Sequence, residues 1–175
     1  MRTWTWMLLL FLLFQLFPTE RVVACDGRVP GDWEVTVWEL SKHLERPPEG
    51  HVFVEVNPGV GLRRYFSRAN CWEIFADANY ISKNSTGGTA ALVGVGAQRP
   101  FASIGEKTEL LVGGVAGMTR YDNRWEKKVW FFPGAYPYIG VRHRDVSVVV
   151  GYIPHISMKG EPVYETLFLY AGIKF

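Results

Sequence analysis

Four kinds of residue in this chain could do chemistry by type and spacing. The first is His155-Ile-Ser157, followed eight residues later by Glu165. A serine hydroxyl beside an imidazole that a carboxylate orients is a workable ester-cleaving constellation. By strand parity His155 and Ser157 share a face, but Glu165 falls on the apolar side of the segment that follows. The three therefore converge only if the intervening turn changes register; otherwise they form a polar rim. The second is the pair Pro137 and Pro154. Proline has no N–H, so two of them on neighbouring strands weaken the ladder between those strands; the plainer reading is that each relieves a bulge or an edge. The third is Cys25 and Cys71, the only two cysteines. In an oxidising compartment they can form a disulfide, with a lipidated Cys25 or two free thiols as alternatives. The fourth is a basic run, Arg120, Arg124 and Glu126-Lys-Lys128, which could meet lipid phosphates or simply be a solvated loop. No metal-ligand cluster, phosphate-binding loop or dinucleotide motif is present, so neither metal nor cofactor is expected.

These residues must be placed by strands. From His51 onward, short runs of period two alternate with turn residues. In Cys71–Ser82, Trp72, Ile74, Ala76, Ala78 and Tyr80 share one face, while Glu73, Asp77 and Asn79 share the other. In Val163–Phe175, Leu167, Leu169, Ala171, Ile173 and Phe175 oppose Thr166, Tyr170 and Lys174. Asp145–Ser157 alternates likewise, and His51–Phe66, Thr89–Phe101, Glu109–Asp122 and Val129–Arg144 complete seven strands. The segment 33–44 is ambiguous. Trp33, Val37, Leu40 and Leu44 make an amphipathic helical stripe, yet Trp33–Trp38 is rich in strand formers. As a strand it is the eighth, and bacterial single-chain barrels have even strand numbers. The expected fold is all-β: an antiparallel up-and-down outer-membrane β-barrel of about eight strands, with a short N-terminal amphipathic helix if 33–44 is helical. A soluble lipocalin-like barrel or a sandwich is the alternative. Trp72, Trp125 and Trp130 fall near strand ends, as an interfacial aromatic girdle requires.

Composition agrees. The 175 residues are 48% hydrophobic and 15% aromatic, with 18 Gly and 10 Pro. Their mean hydropathy is +0.01, which fits alternation and excludes a bundle of membrane helices. Residues 1–24 read as a cleaved export signal: Arg2, an apolar run from Met7 to Phe17 too short to span a bilayer as a helix, and Val22-Val-Ala24 at the cut before Cys25. A retained anchor or a lipoprotein signal are the alternatives. Removing Arg2, Arg21 and Glu20 from 19 basic and 17 acidic residues leaves 17 and 16. Such a balance argues against nucleic acid as a partner. Residues 25–175 are expected to form one barrel domain, a monomer in the outer membrane of a Gram-negative bacterium.

The chain resembles the outer-membrane lipid A palmitoyltransferase family. The resemblance rests on Gly61-Leu-Arg-Arg-Tyr65, Ala76-Asp-Ala through Arg99-Pro100, Ala116-Gly-Met-Thr-Arg-Tyr-Asp-Asn123, Phe132-Pro-Gly134 and Gly151-Tyr-Ile-Pro154. It implies transfer of a palmitoyl chain from a phospholipid to lipid A, without a cofactor. It also implies that Pro137 and Pro154 flank a lateral opening, that the interior holds one acyl chain, and that Leu110–Gly117 forms a wall of its pocket. The family uses a His near the outer end of the first strand and an Asp-Ser pair after the third. Here that pair reads Ile81-Ser82, so Ser82 matches and the carboxylate does not. The segment 48–61 is too short for the family's first strand, loop and second strand, so the family His has no matching position; His43 or His51 approaches the same rim as a candidate base if residues 33–40 serve as the first strand. Two other readings follow from these departures: a non-catalytic lipid-binding barrel, or a lipid A ester hydrolase using His155, Ser157 and Glu165, as a barrel lipid A deacylase does.

Overall fold

A computed structural model describes residues 27–158 and 161–175. The expected export signal and Cys25 lie outside the described residues. The chain builds β1 (Trp33–His43), β2 (Val56–Ala69), β3 (Trp72–Ile81), β4 (Ala90–Ile104), β5 (Thr108–Asn123), β6 (Lys128–His143), β7 (Val146–Ile153), a small hairpin of β8 (Ile156–Met158) with β9 (Glu161–Val163), and β10 (Thr166–Lys174). Eight of these close into an antiparallel barrel in which β10 follows β7 and pairs with β1. The described residues contain no helix.

The ambiguous segment 33–44 is thus a strand. Its alternation wins over the helical stripe because both of its edges find partners. Trp33 to Trp38 pairs with Arg64 to Gly59 of β2, and Glu34 to Trp38 with Lys174 to Tyr170 of β10. A register shift between Trp38 and Leu40 explains the false helical spacing. It adds one residue to the period of two, so Leu40 points outward like Val37, three positions earlier.

One rim carries short connections and the other long ones. The turns after β2, β4 and β6 occupy 70–71, 105–107 and 144–145, whereas the opposite rim carries 44–55, 82–89, 124–127 and the β8–β9 excursion. Asn70 and Cys71 both take positive φ, 51° and 64°, the geometry of the two-residue hairpin turn that matches strand twist. In outer-membrane barrels short turns face the periplasm and long loops the exterior; the two rims are named accordingly below.

The polarity is inverted relative to a soluble protein. Val60, Leu62, Val93, Val95, Met118, Ile139, Val141, Val148 and Ile173 are exposed, while Glu34, Arg63, Glu73, Asp77, Gln98 and Arg142 are buried inside. An apolar belt outside a polar interior is the arrangement a membrane barrel needs. Of the three tryptophans expected in the girdle, Trp72 does face outward. Trp130 lines the interior, and Trp125 packs on the outer-rim loop rings of Phe53 and His51.

Candidate functional site

The barrel interior is layered. Nearest the periplasm lies an ionic plug. Arg63 donates to Glu34 at 3.4 Å, to Asp77 at 3.3 Å and to the Tyr170 hydroxyl at 3.0 Å. Arg142 grips Glu73 with two bonds of 2.8 Å and also donates to Glu109. Arg28, just ahead of β1, turns into the barrel and donates to Glu34. Every charge in this layer has an opposite partner, which offsets the cost of its burial.

Above the plug sits an aromatic floor. Trp38 stacks on Phe168 and Tyr170 at 5.1 and 4.8 Å, and Tyr136 meets Phe168 edge-on at 4.9 Å. Trp38 Nε1 donates to Asn79 Oδ1 at 2.7 Å, which satisfies its one donor in the core. Inward glycines make room for these rings. A Cβ on Gly151 would lie 2.1 Å from the Phe168 ring, and one on Gly113 2.7 Å from Tyr138. The glycine-rich 110–117 therefore serves the floor and the layer below it. It does not line the cavity, contrary to the sequence expectation; the wall there comes from Thr119, Tyr121 and Asn123, higher on β5.

Over the floor lies a cavity of about 190 Å³. Its axial mouth is capped by rings from three separate segments. Phe53 of the β1–β2 loop packs on His43 at 3.7 Å, on Trp125 at 5.2 Å and on Tyr164 at 5.1 Å. Its side is less closed. The β6–β7 ladder runs from His143–Val146 only to Tyr138–Gly151. Beyond that point residues 128–137 of β6 pair with β5 alone. Pro137 and Pro154 stand at this break: one follows the last β6–β7 pair upward, the other directly follows β7. The cavity lies behind the gap, bounded by Pro133–Tyr136 on one edge and by Ile153, Val163 and Tyr164 on the other.

His43 and Thr166 both line this cavity. The Thr166 hydroxyl donates to the carbonyl of Tyr164 at 2.8 Å and lies 2.6 Å from His43 Nδ1. A hydroxyl has a single proton. With that proton on Tyr164 O, Thr166 accepts from Nδ1–H, and the imidazole lone pair sits on Nε2. Nε2 is buried and has no partner in the protein. The strand pairing positions this dyad, since His43 and Thr166 stand opposite each other where β1 meets β10.

The other sequence candidates fall elsewhere. Ser82 Oγ is exposed, donates to Pro58 O at 2.9 Å and does not line the cavity. His51 stacks on Trp125 at 4.7 Å in the outer-rim loops. The structure thus brings neither histidine into a hydrogen bond with Ser82. His155 pairs with Glu45, at 2.9 Å from Nδ1 to Oε2. Glu165 accepts from the Tyr152 hydroxyl at 2.5 Å and donates its N–H to Glu45; it does not orient His155. Ser157 belongs to β8. Burial would raise the Glu45 pKa, but the hydrogen bonds from His155 and the Glu165 N–H hold it below its ordinary value. Cys71 is disulfide-bonded. Asn84, in a glycosylation-type sequence, is buried, with its amide bonded to Thr89 and Asp122 carbonyls. Among the described residues, no cluster of three His, Cys, Asp or Glu side chains could hold a metal. Sequence reasoning passed over Thr166 as a partner of His43. Its inward parity was readable; the closure of β10 on β1 that joins them was not.

No family model matches the sequence, and no curated protein matches it. Solved structures do. The N-terminal β-barrel domain of Pseudomonas aeruginosa OprF is 9% identical, covers 85% of this chain and 100% of its own, and superposes with a TM-score of 0.50. The attachment invasion locus protein Ail of Yersinia pestis is 14% identical over 84% of this chain and 100% of its own, with a TM-score of 0.41. Together with the outward apolar belt, the likeness to the OprF domain defines the fold: this chain is an eight-stranded β-barrel of the outer-membrane type.

Proposed function

We propose that this barrel takes one acyl chain of a membrane lipid sideways, through the break between β6 and β7, and transfers it from a phospholipid to lipid A. The observation that carries the reading is the position of the cavity. It is capped along the barrel axis by Phe53, Trp125 and Tyr164, plugged below by paired charges, and faces the membrane side where the β6–β7 ladder is missing. A site with that access suits a substrate that never leaves the bilayer. An unbroken ladder would close it; the two prolines favour its interruption because neither can donate to a neighbouring strand.

In this reading His43 is the general base. Its Nε2 takes the proton of the lipid A hydroxyl as that oxygen attacks the phospholipid ester carbonyl. The lysophospholipid alkoxide then leaves and is protonated from the imidazolium. Thr166 holds the tautomer that makes this possible. Ser82, tied to Pro58 O outside the cavity, supports instead the second reading, a barrel that binds an acyl chain without reacting it.

The test is mass spectrometry of lipid A from Gram-negative cells with and without the gene, beside cells carrying His43→Ala. An added palmitate that needs His43 supports transfer. Lipid A that loses a chain points to hydrolysis. Unchanged lipid A, with phospholipid retained on the purified barrel, leaves binding alone.

A further inference from the structure

We propose a second lipid site, on the outer face of the barrel near the periplasmic rim: Arg64 over Trp33 and Arg99 over Trp72 bind the phosphates of anionic phospholipids. Each guanidinium lies over an indole, at 5.2 Å for Arg64 and 5.8 Å for Arg99. Strand register builds both pairs. Trp33 stands directly opposite Arg64. Trp72 lies one residue beyond the Glu73–Gln98 pair, which sets it beside Arg99. Both tryptophans are the first residues of their strands as they leave the short-turn end, the depth at which indoles collect in outer-membrane barrels.

The two arginines differ from those inside the barrel. Arg28, Arg63 and Arg142 each meet a carboxylate. Among the described residues, Arg64 and Arg99 have no carboxylate partner, and the Nε of Arg99 is buried with nothing to bond. Their neighbours are apolar: Leu62 and Phe66 flank Arg64, and Phe101 lies beside Arg99 on the same exposed face. A cation on the lipid face is costly at mid-membrane and tolerable near the interface, where lipid phosphates supply the missing counter-charge. Cation–π attraction to the indole places each positive charge and leaves its terminal N–H groups free for a phosphate. Because neither arginine has a carboxylate partner, their positive charge favours a lipid with net negative charge over one whose phosphate is already paired with a choline or ethanolamine cation, in the leaflet opposite the one the outer loops face. This site is independent of the cavity and of any acyl transfer.

Native mass spectrometry of the whole barrel in a neutral detergent tests it, with phosphatidylglycerol or phosphatidylcholine of identical chains as probes. We expect phosphatidylglycerol adducts at several-fold lower lipid concentration. R64Q/R99Q brings the two lipids level, while R64K/R99K, which keeps the charges, retains the preference. Retained resistance to unfolding in SDS confirms that each variant is a barrel. Equal binding of both lipids by the wild type overturns the proposal. So does a preference that survives R64Q/R99Q, or one that R64K/R99K loses.

Discussion

His43 Nδ1 lies 2.6 Å from Thr166 Oγ1, across the seam where β1 and β10 close the barrel. Because Thr166 spends its proton on Tyr164 O, this contact fixes which ring nitrogen of His43 is basic. His43→Ala should lower acyl transfer by about 10²–10⁴-fold, the usual contribution of a general base. Thr166→Val should lower it less, by releasing the tautomer, while Thr166→Ser keeps the oxygen and should restore activity. Transfer rates for the three variants in lipid vesicles check this; full activity in His43→Ala sinks the base assignment.

Gly134 offers a direct handle on the cavity. It shares the inward parity of Phe132 and Tyr136, and a Cβ there would meet only Thr119 Oγ1, at 3.6 Å. Gly134→Leu therefore adds bulk to the cavity wall without a backbone clash. The expected result is a shift toward shorter acyl chains, read by mass spectrometry with a series of phospholipids. An unchanged chain preference would move the acyl site elsewhere.

The sequence shows the barrel through alternation, and the reason is physical: the outside must be apolar and the inside can be polar, so a period of two runs through the strands and is broken only at bulges. Glu73, Asp77 and Asn79 on one face of β3, with Trp72, Ile74 and Tyr80 on the other, made that legible. Pro137 and Pro154 also stand out in the sequence as residues without an N–H, and the β6–β7 ladder ends at Tyr138–Gly151, next to them. Three features were hidden. The bulge between Trp38 and Leu40 mimics helical spacing. The partnership of His43 with Thr166 spans 123 positions and exists only once the barrel closes. The pairings of His155 with Glu45 and Glu165 with Tyr152 depend on loop paths that alternation does not encode.

The ionic plug makes a stability prediction. Arg63 is 1% exposed and neutralises both Glu34 and Asp77. Arg63→Leu leaves a buried carboxylate without its cation, which costs about 3–5 kcal/mol. Adding Asp77→Asn removes that charge and should recover part of the loss, because Glu34 keeps Arg28. Equilibrium urea unfolding of the folded barrel in lipid vesicles measures both. A cost for Arg63→Leu below about 1 kcal/mol, the range of exposed pairs, would show that the plug is not a dry network.

Glu45 ties three segments at the outer rim: its carboxylate meets His155 and accepts the Glu165 N–H, at the start of the strand that carries Thr166. Its pKa is lowered in the fold from an ordinary value of 4.5, so the tie contributes stability above that value and loses it as pH falls through the lower folded value. Between pH 7 and pH 5 the carboxylate is charged in both folded and unfolded chains, so its own contribution is constant. As pH falls through that lowered value the outer rim should loosen while the ionic plug still holds the barrel. Hydrogen exchange of the Leu44 and Glu165 amides, followed down in pH, reads this directly. Glu45→Gln, neutral like the protonated carboxyl, should show the faster exchange at every pH. Exchange in the wild type that stays slow to pH 3 would mean that the loops are held by the Phe53, Trp125 and Tyr164 rings alone.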